Sequence, residues 1–372
     1  MNSTSKIAVL HNFMDNIGGA EMVALYIARG LQADIYTTNI DPDKIIKMGF
    51  ADLIPKIKSL GKIPKMAPFR HQLALWKFRR LNLGKQYDFY IIAGDWAISG
   101  AVNNHPNMWY AHGPINELWE FKDYVRENIL SWWKRPVFDI WVWLNQKLTY
   151  KYSKSVDTWV CNSNNVKDRI KKYYQAEATV INPPVDTSKH SGDKSENFWL
   201  SVNRLSAPKR IEIQMQAFAK LPKEKLIIVG SYEKGTTQFE NYKKYLESIK
   251  PNNVEIISWV DFDKLNSLYN NCKGFITTAK DEDFGMTPIE AMASGKPVIA
   301  PNEGGYKETI LDGVTGFLID DINEDKLVEA VNKISHEIIQ NPDKYTNDSL
   351  LQADKFSTEK FMSKIRKVCK LI

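Results

Sequence analysis

The chain has 372 residues, 43% of them apolar and 25% charged, which is too long for one ordinary core and suits two globular domains. Cys161, Cys272 and Cys369 are few, odd in number and far apart, which argues against a disulfide framework or a zinc site and fits a reducing compartment. The net charge of +6 is uneven: residues 1–185 carry 24 Lys and Arg against 16 Asp and Glu, the remainder 26 against 28, and nine of the eleven Trp lie in the first half. Two halves so different in charge suit different partners, an anionic surface among those expected for the first. Nucleic acid is not expected.

In chain order, KIAVLHN, ADIYTTN, DFYIIAG, MWYAHG and DTWVCNS read as strands of the first half, separated by helix-length segments and by longer irregular inserts near 60–85 and 113–155. INPPVDTSKHSGDKSEN, residues 181–197, is rich in Pro, Ser and charge and reads as a linker. Beyond it FWLSVNRL, KLIIVGS, VEIISWV, KGFITTA and PVIAP read as strands, alternating with IEIQMQAFAKL, FENYKKYLESI, DKLNSLYNNC and NEDKLVEAVNKISHEI as helices. Alternation with short connections predicts a parallel sheet covered on both faces, so the chain is expected to form two doubly wound α/β domains. The expected division is 1–185, 186–355 and a C-terminal helix over 356–372 that packs back on the first domain. The start MNSTSKIAVLHNF has an apolar stretch too short for a signal-peptide core, and no segment approaches the roughly 18 apolar residues of a spanning helix. A cytoplasmic protein, peripheral on the inner face of the membrane, is the expectation.

In such sheets ligands bind beyond the carboxyl ends of the strands, and five features fall there. Gly18-Gly19 leads from the first strand into a helix, where glycine admits close backbone approach and the helix start offers amides to a phosphate; a plain tight turn explains the pair as well. His112 closes a strand in MWYAHGP, either as a structural imidazole or as a group facing the cleft. Arg204 and Lys209 in SVNRLSAPKRIE are two cations suited to clamp a diphosphate, with Arg210 read as a solvated charge before a helix. In DEDFGMTPIE, Glu282 and Glu290 stand eight positions apart and can accept hydroxyls of a sugar and a ribose, while Asp281 and Asp283 read as solvated. Glu290 has a second reading, as the last member of a capping box Thr287-Pro-Ile-Glu290. Gly304-Gly305 in PNEGGYKETI either brings amides to the ligand or makes a turn that needs positive φ.

GGAE, YAHGP, NSNNVKDRIKKYY with VINPPVD, SVNRLSAPKRIE and above all EDFGMTPIEAMASGKPVIAPNEGGYKETILDGVTGFL together resemble the retaining GT-B glycosyltransferases of family 4, over nearly the whole chain. The resemblance implies two Rossmann-like domains facing a central cleft, the C-terminal one holding a nucleotide-sugar and the N-terminal one a glycan or lipid-linked acceptor. It implies that Glu290 binds the ribose, that Glu282 acts at the donor sugar, and that Arg204 and Lys209 clamp the diphosphate. It further implies that Gly19 is the close-approach glycine, that His112 contacts the sugar and assists reaction, and that Phe284, Gly285, Met286 and Thr287 line the donor site. Cations and helix starts would then stabilise the leaving diphosphate with no cofactor and no required metal. The sequence departs from the family's common pattern at His112-Gly113-Pro114 and at Glu282-Asp283-Phe284-Gly285. The second departure is similar to mannosyltransferase-like members, which implies a hexosyltransferase of polysaccharide biosynthesis with GDP-mannose as donor. A GT-B epimerase or phosphorylase, or a non-catalytic nucleotide-sugar-binding partner subunit, are the other readings.

Basic and aromatic residues interleave in KMAPFRHQLALWKFRRLNLGK, with Lys65, Arg70, Lys77, Arg79, Arg80 and Lys85 among Phe69, Leu73, Trp76, Phe78 and Leu81. They do so again in ILSWWKRPVFDIWVWLNQKLTYKYSK, with Trp132, Trp133, Trp141 and Trp143. Both segments are expected to meet an anionic membrane.

Overall fold

Thirteen short strands, almost all apolar, build two parallel sheets in the computed structural model, which describes residues 5–187, 196–230, 237–258 and 260–370. Residues 188–195 of the expected linker, and Ser231 and Trp259 at the ends of two expected strands, lie outside the described residues. The chain divides into two units, one of Met1–Pro184 with Glu359–Ile372, the other of Val185–Thr358.

In the first unit the strands are β1 (Ile7–Leu10), β2 (Asp34–Thr37), β3 (Ile57–Ser59), β4 (Phe89–Ile92), β5 (Asn107–Ala111), β6 (Thr158–Cys161) and β7 (Thr179–Val180), in the order β3-β2-β1-β4-β5-β6-β7. All four residues of β1 are buried, because helices cover both faces of a parallel sheet. The two inserts expected to be irregular contain long helices, Phe69–Arg80 and Arg135–Ser153. In the first of these, Ala74, Leu75 and Phe78 enter the core, so Phe78, expected to face a membrane, is a packing residue, while Phe69 and Trp76 are exposed. The final helix, Thr358–Val368, belongs to this unit: Phe361 meets the ring of Tyr110 edge-on at 5.9 Å and Arg366 donates to the Gly30 carbonyl at 3.0 Å. Gly30 packs directly under the Met362 side chain, whose sulfur lies 2.7 Å from where a Cβ on Gly30 would stand.

The second unit has β8 (Trp199–Val202), β9 (Leu226–Val229), β10 (Val254–Ile257), β11 (Gly274–Ile276), β12 (Val298–Pro301) and β13 (Gly316–Ile319), in the order β10-β9-β8-β11-β12-β13. Period-two alternation divides its side chains between two core layers. Leu200, Val202, Ile227 and Val229 enter one layer, while Trp199, Leu226 and Ile228 enter the other. Each such buried aliphatic side chain contributes roughly 1.5–3 kcal/mol, so the layers hold the strand ends that carry the loops. Both sheets are doubly wound, and both reverse direction at one strand pair, β1/β4 and β8/β11. Neighbouring crossovers leave such a pair in opposite directions, which opens a crevice at its carboxyl ends.

Candidate active site

Lys209 follows β8 and Glu282 follows β11, so the switch point of the second sheet places them side by side, and the Lys209 Nζ pairs directly with Glu282 Oε2. Both are half-buried, which keeps the pair partly out of water. Arg204 leaves the same loop as Lys209 with its side chain exposed.

Arg210 was expected to be a solvated charge and is instead a framework residue. Its backbone takes a left-handed conformation, φ 49°, and turns the guanidinium inward. There Nε donates to the Thr278 carbonyl at 2.6 Å, Nη2 to the Ala279 carbonyl at 3.3 Å, and Nη1 to Glu303 Oε1 at 3.1 Å. The other Glu303 oxygen accepts the Asp281 amide at 3.1 Å. One planar fork thus ties the loops after β8, β11 and β12 together. Sequence offered no signal for this, since the left-handed turn that aims the Arg210 guanidinium inward leaves no mark in Lys209-Arg210.

The Gly304-Gly305 pair acts against the Glu282 loop. Gly304 has φ +53°, and a Cβ there would lie 2.9 Å from Asp281 C; at Gly305 it would lie 2.6 Å from the Asp283 carbonyl oxygen. The Gly305 amide donates to the Glu282 carbonyl at 2.8 Å, so it serves the loop and is not offered to a ligand. Phe284 is buried against Phe356, their rings 5.5 Å apart, and anchors the loop's far side.

The capping box that was the second reading of Glu290 is not formed. Helix Met286–Ala293 begins before Thr287, its N-cap is Gly285 at φ 87°, and no side chain caps it. A Cβ on Gly285 would meet the Tyr306 ring at 2.6 Å, so glycine answers both the positive φ and the close approach. The amides of Met286 and Thr287 thereby have no capping side chain, an arrangement suited to an anion.

Glu290 stands one turn further in, half-buried, and its Oε2 accepts the Tyr269 hydroxyl at 2.7 Å. Burial raises the Glu290 carboxyl above its ordinary value, opposed by the Tyr269 hydrogen bond, and burial beside that carboxylate raises the Tyr269 phenol well above its own. Tyr269 is therefore the donor that holds Glu290, a role its place in a polar helix did not signal. Glu290→Gln keeps an oxygen for Tyr269, so it is expected to leave the melting temperature near wild type while raising the donor Kd about tenfold, the scale of one hydrogen bond to a charged group. Tyr269→Phe is expected to lower the melting temperature. Unchanged donor affinity in Glu290→Gln, measured by calorimetry, would reduce Glu290 to the structural partner of Tyr269.

In the first unit, the carboxyl ends of β1, β4 and β5 bring together His11, Ala93 and His112. His11 Nδ1 lies 3.1 Å from the Ala93 carbonyl, and the same carbonyl favours the charged form of His112, opposing the burial that lowers it. Burial, and then the neighbouring His11, push the His112 imidazole down to about 3, while burial also lowers His11. His112 Nε2 is buried and makes no hydrogen bond, and a buried polar atom of that kind calls for a partner. The His112 carbonyl accepts from Asn162 at 2.8 Å, which holds the loop after β5. His11 was missed as a lone histidine; only its place at a strand end marked it. Gly19 is exposed as the first residue of helix Gly19–Leu31, whose N-cap Gly18 also lacks a capping side chain.

Two lysines and one arginine of the first basic segment have partners within the protein. Arg70 and Lys65 pair with the buried Asp15, and Lys77 donates to the Leu60 carbonyl at 2.6 Å. Trp141 likewise packs against the core, whereas Trp132, Trp133 and Trp143 are exposed.

Two family models match end to end, one described as Glycosyltransferase Family 4 over residues 17–189 and one as Glycosyl transferases group 1 over residues 185–347. The chain is 25% identical to an alpha-1,3/1,6-mannosyltransferase ALG2 of Dictyostelium discoideum, covering 98% of this chain and 97% of that protein. It is 28% identical to the Saccharomyces cerevisiae protein of the same name, over 83% of this chain and 72% of that one. Among solved structures, Anabaena Alr3699/HepE in complex with UDP-glucose superposes with a TM-score of 0.76 at 18% identity, covering 99% of this chain and all of that one. Two Rossmann-like units with their strand-end loops so furnished make this a glycosyltransferase of the GT-B fold. Within that class the chain belongs to glycosyltransferase family 4.

Proposed function

We propose that this glycosyltransferase is a retaining enzyme that transfers a hexose, mannose from GDP-mannose, to a lipid-linked glycan, without a metal ion. The observation that carries the reading is the Lys209–Glu282 pair at the β8/β11 switch point, one turn from the uncapped start of Met286–Ala293. In the absence of donor each of these charges answers the other. When a nucleotide-sugar enters, the Lys209 ammonium and the Met286 and Thr287 amides take the diphosphate, whose charge grows as the sugar leaves. Glu282, released from Lys209, then accepts sugar hydroxyls, and Glu290 accepts those of the ribose. His112 offers a neutral imidazole with an unpartnered Nε2 to a sugar hydroxyl. That the relatives are mannosyltransferases supports mannose as the transferred sugar; the UDP-glucose of the Anabaena structure belongs to that protein.

The test is a panel of nucleotide-sugars in which release of free nucleotide is measured with and without chelator. Release from GDP-mannose that survives chelator is expected. Release from UDP-sugars alone would reassign the donor, and loss in chelator restored by magnesium would overturn the metal-free mechanism. Binding of nucleotide-sugar with no release from any of them would make the chain a non-catalytic binding subunit.

A further inference from the structure

Helix Arg135–Ser153 turns one side to the first unit and the other to water. Its inner side carries Phe138, Trp141, Val142, Asn145 and Thr149, all buried or packed against the core. Its outer side is a single series at alternating three- and four-residue spacing: Val137, Ile140, Leu144, Lys147, Lys151, Lys154. That spacing keeps all six on one face. Val137 is 71% exposed, Ile140 60% and Leu144 46%, and the turn just before the helix adds Trp132 at 79% and Trp133 at 60%. Trp143 is exposed beside them. Lys147, Lys151 and Lys154 are exposed as well, so the face is apolar and aromatic over its first half and cationic over its second. The one carboxylate in residues 131–154, Asp139, is taken up by Arg126 Nε at 2.9 Å.

An apolar face of this size on a soluble surface marks an interaction site. We propose that it is a docking surface for an anionic lipid bilayer, a proposal that rests on the reading of a lipid-linked acceptor given above. The division of the face along its length decides for lipid. Tryptophan favours the headgroup boundary, aliphatic side chains favour the acyl region, and lysine favours anionic phosphates. A second copy of the chain fits less well, because parallel pairing of the face sets lysines against lysines and antiparallel pairing buries them against Val137, Ile140 and Leu144.

The inner side of the helix is joined by packed rings to the loop that leads into Gly18-Gly19. Phe138 lies 6.0 Å from Trp141, Trp141 5.8 Å from Trp96, Trp96 is stacked 5.0 Å from His71, and His71 lies 6.3 Å from Phe13. Phe13 stands in the loop between β1 and Gly18-Gly19, with the Arg70 guanidinium 3.7 Å above its ring. Rigid rings in contact hold the docking helix at a set height from that loop. The first basic segment contributes less, since Arg70 and Lys65 serve Asp15 and Arg79 bonds Asn103 at 3.3 Å.

The full chain is sedimented with vesicles of phosphatidylcholine and of phosphatidylcholine mixed with phosphatidylglycerol, across a salt series, beside Trp132→Ser/Trp133→Ser and Lys147→Glu/Lys151→Glu. Binding is expected only with the anionic lipid and is expected to weaken as salt screens the charges. Each double variant is expected to lose about tenfold or more in vesicle affinity, with its melting temperature unchanged because the replaced side chains are exposed. Nucleotide release measured on the same samples without vesicles is expected to stay at the wild-type rate. No sedimentation at low salt, or equal sedimentation of wild type and variants, overturns the proposal. So does concentration-dependent self-association that the variants abolish while vesicles are ignored, which would make the face a contact between copies. Wild-type protein that releases nucleotide but does not sediment with vesicles fails this proposal alone, whereas wild-type protein that sediments but releases no nucleotide fails the transferase reading alone.

Discussion

Lys209→Ala is expected to lower kcat/KM about 10²–10³-fold, the loss typical when one preorganised charge aimed at a developing anion is removed. The fold should hardly respond. A partly exposed ion pair contributes at most about 1 kcal/mol, and the Glu282 left behind is half-buried with access to water. Arg210→Ala makes the informative contrast, because its guanidinium bonds two carbonyls and Glu303 and joins three loops. That variant should lose about 1–3 kcal/mol of stability through the partners it strands, and its turnover should fall only because the Glu282 loop loosens. The measurement is a thermal melt beside steady-state kinetics for both variants. If Lys209→Ala keeps wild-type turnover and donor affinity, the diphosphate is held elsewhere and the assignment of Lys209 fails.

The contrast between these neighbours also marks where reading the sequence reaches its limit. The long apolar runs that became β1, β4, β8, β9 and β12 were legible because a strand buried on both faces must be apolar throughout. The edge strand β3 is three residues long and mostly exposed, and β7 is two residues long, so neither carries enough burial to leave a pattern. Helix phase was illegible too. Nothing in ILSWWKRPVFDIWVWLNQKLTYKYSK says which tryptophans face inward, because that depends on where Trp96 and His71 lie in space. Glu282 and Glu290 stood out in the sequence as candidates for chemistry, since three carboxylates before FGMTPIE need a reason. The geometry of their loop did not, because the positive φ of Gly285 starts the helix before Thr287 and cancels the capping box.

His112→Ala is expected to reduce kcat about 10²-fold or more, as removal of one group that contacts the reacting sugar would. Its charge state makes the prediction sharper. With the folded value at about 3 against an ordinary 6.5, the imidazole is neutral throughout the working range, so the kcat profile should show no inflection from this group near the ordinary value. The same depression couples to stability. As pH falls below 6.5 the unfolded chain takes up a proton at this position while the folded protein does not until about 3. The stability it contributes is therefore fully present above 6.5 and is lost progressively as pH drops toward the folded value. His11, also lowered by burial, adds to the same slope, so the expected signature is a difference: the melting temperature of wild type should fall more steeply on acidification than that of His112→Asn, which keeps a polar side chain and cannot titrate. Kinetic profiles and melts for both proteins on one buffer series test this. An inflection near 6.5 in wild-type kcat that vanishes in His112→Asn would mean that the imidazole titrates normally and works as an acid or base, and the neutral-acceptor role drawn from Ala93, His11 and the unpartnered Nε2 would have to be given up.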